Sequence, residues 1–158
     1  MARAFLGLGS NLGDRQATLL DAIQRLQQTD GIQDCRCSSF YETAPVGPVQ
    51  QGDYLNAVVE IKTSLEPMEL FQSCQRLEKQ ADRVREVRWG PRTLDIDILA
   101  FDDVSLNSPE LTLPHAEACR RAFVLVPWAE LAPDFMLLGK AVADWLQEVG
   151  HEGVRKFD

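Results

Sequence analysis

The chain lacks what a membrane, a nucleic acid or an oxidising compartment would demand. No apolar run approaches the ~20 residues that span a bilayer, so no membrane partner is expected. Cations are scarce: 16 Lys and Arg stand against 24 Asp and Glu, a net charge of -8. That balance argues against general nucleic-acid binding, which rests on a Lys and Arg excess. Cysteine is limited to Cys35, Cys37, Cys74 and Cys119. The Cys-x-Cys pair cannot easily close an ordinary disulfide and the other two occupy apolar positions, so reduced thiols are expected. The N-terminus, MARAFLGLGSNLGD, meets glycines and a polar turn before a signal-peptide core could form, and a cytoplasmic protein is expected. Internal repeats, low-complexity tracts and linkers are absent from the sequence.

Three ligand-binding signatures are also missing. Gly7, Gly9 and Gly13 form G-x-G-x-x-x-G, one residue too long for the dinucleotide fingerprint. The only Gly-Lys pair, Gly139-Lys140, precedes Ala141 and so makes no phosphate-cradling loop of the Walker A kind. The spacings of Cys35, Cys37, His115 and Cys119 match no tight zinc pattern. A triphosphate would here need metal and arginine instead of a backbone cradle.

What is present suits one domain over residues 1–158, 45% hydrophobic and 25% charged, long enough for a real core. Ala2 to Leu8 reads as a strand ending in a glycine turn. Leu19, Leu20, Ile23 and Leu26 then repeat at helical spacing behind Asp14, a plausible N-cap. Ile32 to Tyr41 reads as a second strand, and Thr43 to Asp53, with Pro45, Gly47, Pro48 and Gly52, as a long loop. Tyr54 to Thr63 alternates cleanly, with Leu55, Ala57, Val59 and Ile61 on one face and Asn56, Val58, Glu60 and Lys62 on the other. Pro67 opens a helix whose apolar stripe is Leu70, Cys74, Leu77 and Ala81, widened by Phe71. A further strand runs to Phe101. The order β-α-β-β-α-β predicts an α+β fold with two helices on one face of an antiparallel sheet and the other face open. The remainder reads as an elaboration, with helices expected over 121–131 and 141–149.

The chemistry concentrates in Arg88 to Leu99, RWGPRTLDIDIL. Strand alternation puts Asp95 and Asp97 on one face and Leu94, Ile96 and Ile98 on the other. A carboxylate pair on such a strand is either solvated or compensated, and the obvious compensation is a divalent metal. On the same open face would lie Asn56, Gly7 and Gly9. An amide beside two positions without side chains suits a flat, polar molecule approached closely by backbone, though a lone Asn is more often simply solvated. Arg83, Arg85, Arg88 and Arg92, against Asp82 and Glu86, make the window locally +2. They could grip phosphate oxygens or form surface ion pairs. Trp89 and Phe123 could stack on a heterocycle or belong to the core. His115, in a Pro-flanked turn near Arg120 and Arg121, suits a phosphate contact.

Taken together, LGLGSNLGD, FYETAPVGP, DYLNAVVEI, RWGPRTLDIDIL and LTLPHAEACRRAFVLVPWAELAPD resemble the 6-hydroxymethyl-7,8-dihydropterin pyrophosphokinases of the folate pathway, in order across nearly the whole chain. The resemblance implies a ferredoxin-like βαββαβ sandwich with C-terminal additions. It also implies transfer of the pyrophosphoryl group of ATP to the pterin hydroxymethyl oxygen, with release of AMP. Asp95 and Asp97 would bind two Mg2+ ions. Thr43, Val46, Tyr54, Asn56, Trp89 and Phe123 would bind the pterin. Gln75, Glu78, Arg88, Arg92, Ile98, Thr112, His115 and Arg121 would hold ATP. Arg83, Arg85 and Arg92 join the two aspartates as the catalytic set. The implied partners are these two small molecules, in a monomer. Glu110, Ala116 and Ala44 stand where relatives can carry a basic residue, an aromatic and a proline. A ferredoxin-like RNA-binding module and a noncatalytic nucleotide or metal sensor are the competing readings.

Overall fold

A computed structural model describes residues 1–44, 52–82 and 93–157. β1 (Ala2–Ser10) runs into α1 (Arg15–Gln27), which is capped where the Ala17 amide donates to the Asp14 carboxylate at 3.0 Å. The buried stripe of α1 is Leu19, Ala22 and Leu26; Leu20, expected on it, is 54% exposed. The stripe follows a 3-then-4 step, and Leu20 lies one residue beyond its edge. β2 (Ile32–Cys37) and β3 (Tyr41–Thr43) follow, then β4 (Tyr54–Thr63), α2 (Pro67–Asp82) and β5 (Asp95–Phe101).

The expected single strand over 32–41 is therefore two. Pairing with β4 shifts register between Gln33 and Arg36, where Asp34 sits at φ 53°, so an extra residue is absorbed and the strand bends. At the break, the Ser38 amide donates to the Val58 carbonyl (2.9 Å) and the Val58 amide donates to Ser38 Oγ (3.0 Å). A side chain thus stands in for one ladder acceptor, and the chain restarts as β3 farther along the same β4.

After β5 come the hairpin β6 (Leu106–Asn107) and β7 (Thr112–Leu113), a 3-10 turn at Ala118–Arg120, and α3 (Ala122–Leu131). The hairpin β8 (Met136–Leu137) and β9 (Lys140–Ala141), α4 (Val142–Val149) and β10 (Arg155–Lys156) complete the described chain. In the main sheet the strands lie in the order β10–β3–β4–β1–β5, with β2 also on β4, and their pairings are antiparallel. β10, absent from the sequence reading, docks on β3.

Both faces of this sheet are used. Leu6, Leu8, Leu55, Val59, Ile61, Ile96 and Ile98 point toward α1 and α2 and form one core. Phe5, Val58, Leu99 and Ala100 point the other way and pack on Val124, Leu125 and Trp128 of α3 and Val142 of α4. The expectation of a wholly open second face is thus corrected. AFVLVPWAEL carries apolar residues all round, and such a helix has to be buried on more than one side. α3 covers only part of the face, however. Beyond its first residues the sheet floor is bare around Gly7, Gly9 and Asn56.

Candidate active site

The uncovered end of the sheet is a cleft of about 570 Å³. Its floor is set by register. Asn56 on β4 faces Gly9 on β1, which faces Asp95 on β5; one rung along, Val58 faces Gly7, which faces Asp97. With strands roughly 4.8 Å apart, an amide and a carboxylate stand about 10 Å from each other across a backbone-only floor. The glycines are what keep the floor flat. A Cβ built on Gly9 would come within 3.2 Å of Asn56 Oδ1 and 3.6 Å of Tyr54 Cδ1, and one on Gly7 within 3.3 Å of Leu99 Cδ2.

The β3 side of the cleft is a buried polar pair: Asn56 Nδ2 donates to Thr43 Oγ1 at 2.8 Å, with the two residues only 6% and 7% exposed. Their position has a simple cause. Thr43 is paired with Tyr54 and Tyr41 with Asn56, so Thr43 and Asn56 are diagonal neighbours on one face. That bond leaves Asn56 with an acceptor oxygen and a second amide hydrogen for a ligand. Tyr41, next on β3, instead donates its hydroxyl to Glu130 Oε1 of α3 at 2.6 Å, and burial together with that carboxylate pushes its pKa up to about 12.

The opposite wall is the start of α3, where Arg120, Arg121, Ala122, Phe123 and Val124 line the cleft. Arg121 is the N-cap residue and makes no side-chain capping bond, so the helix start leaves backbone donors and a positive dipole end beside two guanidinium groups. The Arg121 guanidinium lies 5.8 Å from the centre of the Phe123 ring. A cationic wall thus faces an anionic strand. Asp97 is exposed and Asp95 half-buried. Behind the strand, Cys74 of α2 is buried, and its thiol is pushed up to about 12 by desolvation first and by the charges of Glu78 and Asp97 second.

Of the residues singled out from sequence, Thr43, Tyr54, Asn56, Asp95, Asp97, Arg121 and Phe123 meet in this cleft. A second group follows the edge of β5 away from β1. Glu78 of α2 accepts from the Ile96 amide at 2.8 Å, and the His115 amide donates to the Leu99 carbonyl at 2.9 Å. His115 Nδ1 in turn accepts from the Glu117 amide at 3.2 Å. Gln75 and Thr112 are exposed, on α2 and β7. Ile98 is a special case: its side chain is buried in the helix-side core, so only its backbone could meet a ligand. Val46, Arg83, Arg85, Arg88, Trp89 and Arg92 lie outside the described residues. The cleft also holds Arg120 and Leu99, which lie inside the quoted motifs but are assigned no role of their own; their signal is that they flank Arg121 and Ile98.

The carboxylate pair fits Mg2+. Among the described residues no group of three or more His, Cys, Asp and Glu is placed to hold a metal. Two carboxylates on one strand face, one of them exposed, match an ion that keeps waters and takes its remaining oxygens from a phosphate substrate.

The family model for 7,8-dihydro-6-hydroxymethylpterin-pyrophosphokinase (HPPK) matches residues 5–133. The chain belongs to this family. It is 44% identical over 158 residues, all of both chains, to the 2-amino-4-hydroxy-6-hydroxymethyldihydropteridine pyrophosphokinase of Methylorubrum extorquens. To the enzyme of that name from Bacillus subtilis it is 47% identical over 128 residues, 81% of this chain and 77% of the relative. Among solved structures, an HPPK-DHPS of Plasmodium falciparum superposes with a TM-score of 0.74 at 14% identity over 98% of this chain. The chain spans 48% of that longer HPPK-DHPS protein, and at such identity the likeness concerns the fold.

Proposed function

We propose that the cleft between the glycine-floored sheet and the start of α3 performs the reaction of the HPPK family in this chain. The chain is an ATP-dependent pyrophosphokinase of folate biosynthesis. It transfers the pyrophosphoryl group of ATP to the hydroxymethyl oxygen of 6-hydroxymethyl-7,8-dihydropterin, giving the pterin diphosphate and AMP. The observation that carries the site assignment is the rung Asn56–Gly9–Asp95, which sets an amide and a carboxylate about 10 Å apart on a bare floor.

On this reading the pterin stands edge-on over Gly9, so that both of its ring faces stay open to aromatic side chains. Asn56, held by Thr43, meets its amide-like edge with one acceptor and one donor, and Tyr54 borders it. Phe123 offers its ring from the α3 side, and Trp89 is proposed as its counterpart on the other face, with Val46 as a backbone contact. ATP runs from the edge of β5, where Gln75, Glu78, the Ile98 backbone, Thr112 and His115 hold the nucleoside end, toward Arg121. Arg83, Arg85, Arg88 and Arg92 are proposed to hold and cover the phosphates, each being permanently charged and shaped for two phosphate oxygens at once. Mg2+, two ions on this proposal, would be held by Asp95 and Asp97 and would neutralise phosphate charge. The hydroxymethyl group reaches the phosphates beside Asp97, the carboxylate we assign to receive its proton. Attack on the β-phosphorus is in line with departure of AMP, so orientation and charge neutralisation carry most of the catalysis.

The strand order β5–β1–β4–β2 and the two helices behind it support a ferredoxin-like arrangement. Residues 1–158 are proposed as one domain, since the two cores lie on opposite faces of the same strands. No helix of the described residues is long and apolar enough to cross a membrane. A cytoplasmic monomer of 17.7 kDa is the proposed form, which light scattering would check.

The decisive experiment supplies Mg2+, ATP and the hydroxymethyl-dihydropterin and identifies the nucleotide released. Pterin-dependent AMP is expected, whereas ADP would overturn the proposal. In the same assay Asp97→Ala should lose at least ~10³ in kcat with an unchanged circular dichroism spectrum; near-normal turnover would remove Asp97 from the site.

A further inference from the structure

Arg15 is the first residue of α1, a place where a cation opposes the helix dipole, and the first turn holds no acidic residue to offset it. Such a locally unfavourable choice calls for a compensating contact, and Arg15 has three. Its Nη2 pairs with Glu42 Oε2 at 3.0 Å, its Nη1 donates to the Asp53 carbonyl at 3.0 Å, and its guanidinium lies 5.7 Å from the centre of the Phe157 ring. The Arg15 and Glu42 side chains are each only 25% exposed, so this is a partly desolvated, charge-assisted arrangement and not a freely solvated pair.

The partners are what matter. Glu42 is the residue before Thr43 and Asp53 the residue before Tyr54, and Thr43 and Tyr54 are the last facing pair of β3 and β4. Arg15 therefore ties together the two strand ends from the helix side of the sheet, while Thr43 and Tyr54 present themselves to the cleft on the other side. The tie is reinforced from β10, where Arg155 faces Glu42 and its Nη2 reaches Asp53 Oδ2 at 3.0 Å. Thr43 in turn holds Asn56.

We propose that Arg15 is a positioning residue for recognition of the pterin: by bridging Glu42 and Asp53 it fixes the Thr43–Tyr54 pair and, through Thr43, the orientation of the Asn56 amide. The inference rests on the assignment of Asn56 and Thr43 to the pterin. A strand end that frays by a fraction of an ångström misaligns an amide whose value lies in two directed hydrogen bonds. The ATP groups along β5 are separated from that strand end by β4 and β1.

The test is steady-state kinetics on the full chain with Mg2+, varying the pterin and ATP separately, for Arg15→Ala, Arg15→Lys, Glu42→Gln and Asn56→Ala. Arg15→Ala is expected to raise the KM for the pterin about tenfold, with kcat and the KM for ATP within about twofold of the parent. Arg15→Lys and Glu42→Gln, which keep part of the bridge, should fall between the two. A fall in thermal midpoint accompanied by equal changes in both KM values, or by none, would make Arg15 a plain structural brace and overturn the proposal. So would a raised pterin KM in Asn56→Ala with parental values in all three Arg15 and Glu42 variants. If Asn56→Ala also leaves the pterin KM unchanged, the site assignment itself falls and carries the proposal with it.

Discussion

Gly9 does more for this site by having no side chain than most of its neighbours do by having one. Its added Cβ would sit 3.2 Å from Asn56 Oδ1, tight enough to displace the amide but not the strand. Gly9→Ala is accordingly expected to raise the pterin KM about tenfold by misplacing the ligand, with a thermal midpoint close to the parent; kinetics and a melting curve on one preparation would check both. The sequence alone already paired Gly9 with Asn56 and the two aspartates, because strand alternation assigns faces without any tertiary information. The 2.8 Å bond from Asn56 to Thr43 was not legible in that way, since it needs the register of β3 on β4, and that register follows a break at Ser38 that alternation does not signal.

Three strands are tied at the other end of β4 by a single carboxylate. Glu60 accepts from Arg3 Nε at 3.2 Å, Arg3 Nη2 at 3.3 Å and Arg36 Nη2 at 2.9 Å, linking β1, β2 and β4, and Arg36 also donates to the Leu131 carbonyl at the end of α3. Burial works to raise the pKa of Glu60, but the hydrogen bonds and charges of the two arginines outweigh it and the net shift is downward. A carboxylate held below its unfolded value stabilises the fold above that value and ceases to do so as pH falls through the folded one. The parent should therefore lose stability on acidification below about pH 4.5, while Glu60→Gln, less stable near neutrality by about 1–3 kcal/mol, loses less over that window. Urea unfolding at pH 7 and pH 3.5 would show the difference. At this scale the strands and helices were largely visible in advance, because hydrophobic period and the Asp14 cap are local properties. The bulge at Asp34 and strand β10 were not, since each exists only as a pairing.

Across the whole molecule, Phe5 joins the sheet to the layer that closes part of its second face. Its ring lies 5.2 Å from Trp128 and 4.7 Å from Phe135, centre to centre, with the Arg3 guanidinium 5.0 Å away. Phe5→Ala should cost about 3–5 kcal/mol, because α3 cannot settle into the space without leaving β4 and β5. Partial loss of the cleft's Phe123 wall should follow, read as a raised pterin KM in the variant while it is still folded. By itself the sequence determined the family, the elements, and which side chains of each strand share a face, since periodicity and motif spacing are written along one dimension. Only the tertiary structure decided that the second face is part core and part cleft. α3 is apolar all round and has to be buried, but where its first turn comes to rest, with Arg120, Arg121 and Phe123 against Gly9 and Asn56, depends on packing between residues distant in the chain.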